Sequence, residues 1–406
     1  MKNKSLIAVL VATAFSANAE LINDSQAAQQ KDIRVVFEYH NGSKAELISA
    51  IERAGGSVVR LLDSDNSFAA TINADVYAQI KDNKALKSAE VDAKRFAIPQ
   101  MEIDAEPANF EDYVPYGLPM VQADQLKYMG GIKVCIVDTG YDLGHGDLPS
   151  STVDGDSEGA GPWYQDGHGH GTHVAGTIAA LDGTGANSLT GVIGSGMPEL
   201  HIARVFNDDG NFVYASDLAG AVNDCADAGS KVVNMSLGGA FSTKVEERAY
   251  SRLEKQGVLL IAAAGNDGNA THSYPASYDG VVSVAAVDSQ MEHAEFSQRT
   301  SQVELAAPGV DVVSTVARNL IPGNTQDLYA YMSGTSMASP HVAGVAALVW
   351  SYFPQCNNYE IRSALTASAK DLGDEGYDYK YGHGLVQAKA AYDYLTENSC
   401  DGLGVK

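Results

Sequence analysis

Three stretches of the chain carry side chains whose types suit nucleophilic or hydrolytic chemistry. The apolar run at residues 132–137 ends at Asp138-Thr139-Gly140, which directs a carboxylate beyond the carboxyl end of a buried strand. A strand-ending aspartate is also an ordinary turn or cap residue, so this stretch alone decides nothing. Asp166-Gly167-His168-Gly169-His170-Gly171-Thr172-His173 sets three imidazoles on a glycine-punctuated turn that leads into an apolar helix. Histidine exchanges protons near neutral pH. Clustered histidines also bind zinc, but no H-E-x-x-H spacing and no cysteine accompanies these three. Ser333-Gly334-Thr335-Ser336-Met337-Ala338-Ser339-Pro340-His341 opens a helix that runs to about residue 352. Ser336 then stands where the helix dipole favours developing negative charge; it equally reads as an N-cap, and both roles can hold. Pro340 is tolerable only because it falls in the first turn.

The elements that must position these residues follow from the apolar pattern. Residues 132–137, 200–205, 231–235, 258–263 and 281–287 are short Val/Ile/Ala-rich runs, suited to strands buried on both faces. Helical stretches at 172–181, 216–228 and 243–256 lie between them. The last opens with Thr243-x-x-Glu246, a capping-box spacing, and stops at Gly257. This alternation predicts an α/β fold, a doubly wound and mainly parallel sheet with ligands bound beyond its carboxyl ends. Ahead of it, strands at 33–39, 57–62, 68–72 and 85–91 and helices at 44–54 and 74–81 follow a β-α-β-β-α-β order. That predicts a small ferredoxin-like α+β domain over 32–98. Residues 101–112, acidic and without a period, read as a linker.

Composition narrows the function. A chain of 406 residues with 45% hydrophobic and 19% charged residues is globular and not disordered. Its net charge of -24, with no Lys/Arg-rich block, argues against nucleic acid as a partner. So acidic a surface reads as solubility, or as loops that bind calcium. Lys2 and Lys4 precede the apolar run 6–15 and the small-x-small site Ala17-Asn18-Ala19, a secretory signal over residues 1–19. That run is too short to span a bilayer, so the mature chain is expected to be exported and soluble. Export favours disulfides among the four cysteines, for which three pairings exist. Cys356 and Cys400, both in the final segment, are the favoured couple, and Cys135 is readable as a packed thiol.

Val137-Asp138-Thr139-Gly140, His170-Gly171-Thr172-His173-Val174-Ala175-Gly176 and Gly334-Thr335-Ser336-Met337-Ala338-Ser339-Pro340 resemble the three active-site signatures of the subtilisin family of serine proteases, in that family's order. The resemblance runs from about residue 114 to 395. It takes in Val114-Pro115-Tyr116-Gly117, Asn234-Met235-Ser236-Leu237-Gly238-Gly239 and Ala263-Ala264-Gly265-Asn266. It implies a secreted serine endopeptidase with Ser336 as nucleophile, His170 as proton carrier and Asp138 orienting the imidazole. Asn266 and the Ser336 backbone N–H are the implied oxyanion donors. Ser236, Leu237 and Gly238, with Ala263, Ala264 and Gly265, are implied to pair with the substrate backbone and wall its primary pocket, with Ser273 at the floor. Large apolar residues before the scissile bond would be favoured. His168, His173 and His341 receive no catalytic role.

Residues 33–98 are similar to the family's inhibitory propeptide. The implied precursor has a signal peptide (1–19), a propeptide (20–110), a peptidase domain (111–397) and a short tail (398–406), cut by itself after Phe110. Structural calcium is implied, on Asp112, Asp147, Asn187 and backbone at Leu181 and Val192. The implied partners are protein and peptide substrates and the chain's own propeptide. Neither nucleic acid nor, once the signal is removed, a membrane is expected, and the enzyme is expected to act as a monomer.

Overall fold

The alternating apolar pattern near the N-terminus folds as its periods require. The computed structural model describes residues 32–97, 106–107, 113–183 and 188–400. The expected signal peptide, Phe110, Asp112 and Asn187 lie outside them. The chain divides into two compact units, residues up to 59 with 69–91, and residues 60–68 with those from 92 onward.

The N-terminal elements are β1 (Ile33–Tyr39), α1 (Lys44–Arg53), β2 (Ser57–Leu62), β3 (Ser67–Ile72), α2 (Ala74–Ile80) and β4 (Leu86–Val91), all of them in the first unit except residues 60–62 of β2 and 67–68 of β3. Their sheet has the order β2-β3-β1-β4, with β1 and β4 antiparallel. Leu47 and Ile51, one helical turn apart on α1, and Val76 and Ile80 on α2 are buried with Phe37. The Asn73 side chain caps α2 by accepting from Val76 N at 3.0 Å.

In the second unit the central sheet has seven strands, here β6 (Val134–Asp138), β7 (Val153–Asp156), β8 (Leu200–Arg204), β10 (Val232–Met235), β12 (Leu259–Ala263), β13 (Val281–Val287) and β14 (Val303–Pro308). Their order is β14-β13-β12-β10-β6-β8-β7, and every pair is parallel. Two short strands, β5 (Lys94–Ala97) and β9 (Val213–Tyr214), pair outside this sheet, as does β11 (Leu237–Gly238). Helices α3 (His170–Ala179), α4 (Ala215–Asp227), α5 (Lys244–Lys255) and α6 (Thr335–Trp350) connect or cover the strands.

Alternate residues of one strand serve two separate cores, which is why these strands read as unbroken apolar runs. Val134 and Ile136 pack with Val174 and Ile178 of α3 and with Val342 and Val345 of α6. Cys135 and Val137 pack on the opposite face with Leu218 and Val222 of α4 and Leu253 of α5. All sixteen residues of α6 are buried, so this helix is central and has no polar face.

The same alternation overturns one reading of the cysteines. Cys135 points from β6 toward α4 and is joined there to Cys225, 90 residues later, so it is not a free packed thiol. The favoured couple, Cys356 with Cys400, is also joined.

Candidate active site

β6 ends on Asp138, α3 begins on His170, and Ser336 is the second residue of α6. The start of α3 is held over the end of β6 by Asp166. Its Oδ1 accepts from Gly169 N at 2.8 Å and from the Thr139 hydroxyl at 2.9 Å, and its Oδ2 accepts from Thr172 N at 2.9 Å and the Thr172 hydroxyl at 2.6 Å. Thr139 Oγ1 in turn accepts from Gly171 N at 2.8 Å. The turn into α3 needs φ = +87° at residue 169, where glycine stands without strain. Asp166 and Thr139 are thus positioning residues that sequence reasoning missed. The only signal was an acidic side chain just ahead of a helix start.

These contacts bring Nδ1 of His170 to 2.7 Å from Oδ1 of Asp138. Thr139 N donates to that same oxygen at 2.7 Å and fixes the carboxylate. Both side chains are buried. Burial works against an imidazolium, but the charge and hydrogen bond of Asp138 outweigh it and hold the His170 pKa above its ordinary value. Nε2 of His170 is buried and has no hydrogen-bond partner among the described residues. The Ser336 hydroxyl donates to the Ser236 carbonyl at 3.3 Å, and its single proton is thereby engaged away from the ring.

The start of α6 is fixed from two sides. Helix α6 runs from Thr335, so Pro340 is its sixth residue and lies beyond the first turn where it was expected. A proline there leaves the carbonyl of Ser336, four residues earlier, without its helical donor. The Ser236 hydroxyl supplies the missing bond at 2.9 Å. Asn234 Nδ2 donates to that hydroxyl at 3.0 Å, and the Ser339 hydroxyl donates to Asn234 Oδ1 at 2.7 Å, which closes a loop of bonds around the nucleophile's turn. On the other side, Oδ1 of Asn266 accepts from Thr335 N at 2.9 Å and from the Thr335 hydroxyl at 2.8 Å. That fixes the amide with Nδ2 turned the other way. A methyl group built on Gly334 would lie 2.9 Å from Asn266 Nδ2 and 3.6 Å from Ser336 N, so both donors border one small space.

A model of the subtilase family matches residues 130–384. The chain is a subtilase. Subtilisin DY from Bacillus licheniformis is 42% identical to it over 288 residues, which cover 68% of this chain and 98% of that protein. Subtilisin E from Bacillus subtilis (strain 168) is 34% identical over 370 residues, 86% of each chain. Among solved structures, a psychrophilic subtilisin-like protease from the Antarctic psychrotroph Pseudoalteromonas sp. AS-11 superimposes with a TM-score of 0.65 at 32% identity. That match covers 72% of this chain and 99% of the other. The subtilase is accordingly a serine protease, a hydrolase of the subtilisin type.

In the subtilase, a pocket of about 540 Å³ lies beside Asn266, between Gly238 and Gly265, with Ser273 on its lining. Ala263 is the last residue of β12, and Ala264 N donates to Val284 O inside the sheet. Leu237 and Gly238 pair with an extended segment of the same chain: Leu237 lies opposite Ala97 and Gly238 opposite Phe96. The edge on the segment's other side is β9, where Val213 faces Arg95 and Tyr214 faces Lys94; residues 263–265 do not form it. A two-residue strand gives no periodicity to read, and β9 was missed for that reason.

Two of the remaining motif histidines, His173 and His341, are fully buried. Burial drives the pKa of His173 down to about 3 and that of His341 down to about 4, so both stay neutral. His173 Nε2 lies 3.0 Å from the Val312 carbonyl, and His341 Nδ1 lies 2.8 Å from that of Met337. Burial, with repulsion from His170, also lowers the pKa of His168. For calcium, Asp147 is buried, and its Oδ2 accepts from Leu189 N at 2.9 Å and from the Tyr329 hydroxyl at 2.7 Å. Leu181 N bonds to the Asp147 backbone carbonyl, and Val192 is buried nearby in sequence. Calcium takes six to eight oxygens, and two of the implied ligands, Asp112 and Asn187, lie outside the described residues.

Proposed function

We propose that the chain is made as an exported precursor and hydrolyses peptide bonds through Asp138, His170 and Ser336. The observation that carries this reading is the His170 ring, tethered to Asp138 through Nδ1 while Nε2 stays unpaired in a buried site. Ser336 Oγ attacks the scissile carbonyl carbon as Nε2 of His170 removes its proton; the hydroxyl–imidazole bond tightens only in the complex. The carbonyl oxygen becomes an oxyanion that Asn266 Nδ2 and Ser336 N are placed to receive. His170 then protonates the leaving nitrogen, the C–N bond breaks, and water repeats the sequence on the acyl-enzyme.

Substrate would lie as an added strand along Leu237–Gly238, the edge that β5 now occupies. Large apolar side chains suit the pocket beside Asn266. Strand β5 in that position supports the chain's own N-terminal segment as an inhibitor until the linker is cut, with Phe110 a residue that suits the pocket. Among the described residues no helix is long and apolar enough to cross a membrane. Export rests on the signal at residues 1–19, and calcium, if held by Asp147 and its neighbours, would act on stability alone.

The test is expression of Ser336→Ala beside the parent in a protease-free host. The parent should be cut, label with a serine-reactive fluorophosphonate and hydrolyse peptides; the variant should stay uncut and inert. Normal maturation of the variant, or a mature N-terminus beyond Pro115, would contradict the reading.

A further inference from the structure

Strand β5 and the groove it fills both belong to the second unit, and the way β5 is held says more than that a peptide backbone fits. Arg95 is buried completely, which is rare for an arginine, and so is its partner Glu246 on α5. The guanidinium donates to both carboxylate oxygens, from Nε to Oε1 at 3.0 Å and from Nη2 to Oε2. Nη2 also donates to the Phe241 carbonyl at 2.9 Å. Such a two-pronged, desolvated contact recognises a guanidinium by shape as well as by charge.

Glu246 is shaped for this contact at the expense of a local one. Its spacing from Thr243 predicts a capping box, in which the Glu246 carboxylate would return to the Thr243 backbone N–H. Half of the box forms: Thr243 Oγ1 accepts from Glu246 N at 3.4 Å. The other half does not, because Thr243 N donates to the Tyr278 hydroxyl at 2.7 Å. The carboxylate instead turns into the groove, where the Tyr278 hydroxyl donates to Oε2 at 2.9 Å and the Thr243 hydroxyl supports the same oxygen at 3.2 Å. Two hydroxyls and a helix N-terminus hold one charge facing the ligand.

Register places this contact relative to the nucleophile. Phe96 faces Gly238 and Ala97 faces Leu237, in antiparallel sense. In any ligand that keeps this register, the next residue lies opposite Ser236, whose carbonyl accepts from Ser336 Oγ. The arginine is therefore the third residue ahead of the one whose carbonyl meets the nucleophile, the fourth position before the scissile bond. When the segment bearing Arg95 leaves with the rest of the N-terminal region, Glu246 remains with the peptidase and faces an open groove.

We infer that Glu246 makes the subtilase select substrates with arginine at the fourth position before the scissile bond. The inference rests on the endopeptidase reading above. Its test uses the mature enzyme produced from the full-length chain and a series of internally quenched peptides that differ at that position alone: arginine, citrulline, lysine, leucine and glutamate. Citrulline keeps arginine's shape and lacks its charge. The arginine peptide should show a kcat/KM on the order of tenfold or more above citrulline and leucine, with lysine between and glutamate lowest. In Glu246→Gln the ratio of arginine to citrulline should fall close to one. The comparison on the parent enzyme stands even if that variant fails to mature. Equal rates for arginine, citrulline and leucine overturn the inference and leave the endopeptidase reading intact. No cleavage of any peptide, with no fluorophosphonate labelling, overturns both.

Discussion

Replacing Asp138 by asparagine keeps the shape of the site and removes its negative charge. In the parent, His170 Nδ1 lies 2.7 Å from Asp138 Oδ1 and both groups are buried. Charge centres roughly 4 Å apart at an effective dielectric of 20 attract by about 4 kcal/mol, all of it felt only when the imidazole is protonated. The imidazolium exists in the transition state and not in the active, deprotonated form of the resting enzyme, so this term is lost from catalysis almost in full. Losing the carboxylate's control of the tautomer adds to it, and a fall in kcat of about 10⁴-fold, equivalent to about 5 kcal/mol, is expected. The pH profile should move as well. In the parent, Asp138 holds the His170 pKa above its ordinary value against the opposing effect of burial, so activity is lost as pH falls through a point above about 6.5. In Asp138→Asn burial is opposed only by the smaller attraction of Asp166, and the acidic limb should shift to lower pH. The assay is kcat/KM for a fluorogenic peptide from pH 5 to 9, with active sites counted by fluorophosphonate. A loss under tenfold, or an acidic limb that stays in place or moves up, would refute the assigned role of Asp138.

Asn266→Ala should lower kcat by on the order of 10²–10³, the loss known from a member of the subtilisin family, with little change in KM, as steady-state kinetics would show. Breaking the link between β6 and α4 with Cys135→Ser and Cys225→Ser together should reduce stability by about 2–5 kcal/mol, read from urea unfolding of an inactive Ser336→Ala background. In that same background stability should fall on acidification. His173 and His341 are neutral in the fold, with pKa values lowered to about 3 and about 4, while the unfolded chain takes up protons below about 6.5. The unfolded state binds more protons throughout this window, so each histidine should cost about 2 kcal/mol at pH 5 relative to neutral pH. Unfolding midpoints that do not change between pH 7 and pH 5 would contradict this.

What the sequence made legible was what is local or periodic. Residues 134–137 are apolar at every position because both faces of β6 are covered, and the strand's end at Asp138 could be placed within a residue. Ser336 could be placed at a helix start because glycine, small residues and an apolar run mark one. Features that depend on two distant segments left no such trace. Nothing near Cys135 indicates that it faces α4, since the choice of face depends on which helix covers which side. Asp166 looks like any acidic residue before a helix, and its bond to Thr139, which ties the three it makes to the His170 turn to the end of β6, becomes visible only once β6 and α3 are brought together.

Glu246 is the instructive case, because its local pattern was informative and still pointed to the wrong partner. Sequence spacing identifies a carboxylate able to reach back to the Thr243 N–H, but it carries no information about the Tyr278 hydroxyl, which arrives from more than thirty residues later and takes that donor first. Once the local donor is taken, a buried carboxylate must find other hydrogen-bond donors, and the groove is where they are: two hydroxyls and, in this structure, an arginine. The same logic governs Ser336. Pro340 removes the helical donor for its carbonyl, Ser236 replaces it from the link between β10 and β11, and the nucleophile's turn is thereby fastened to the wall along which substrate would lie. In both places a local rule is set aside by a longer-range bond, and both places line the cleft.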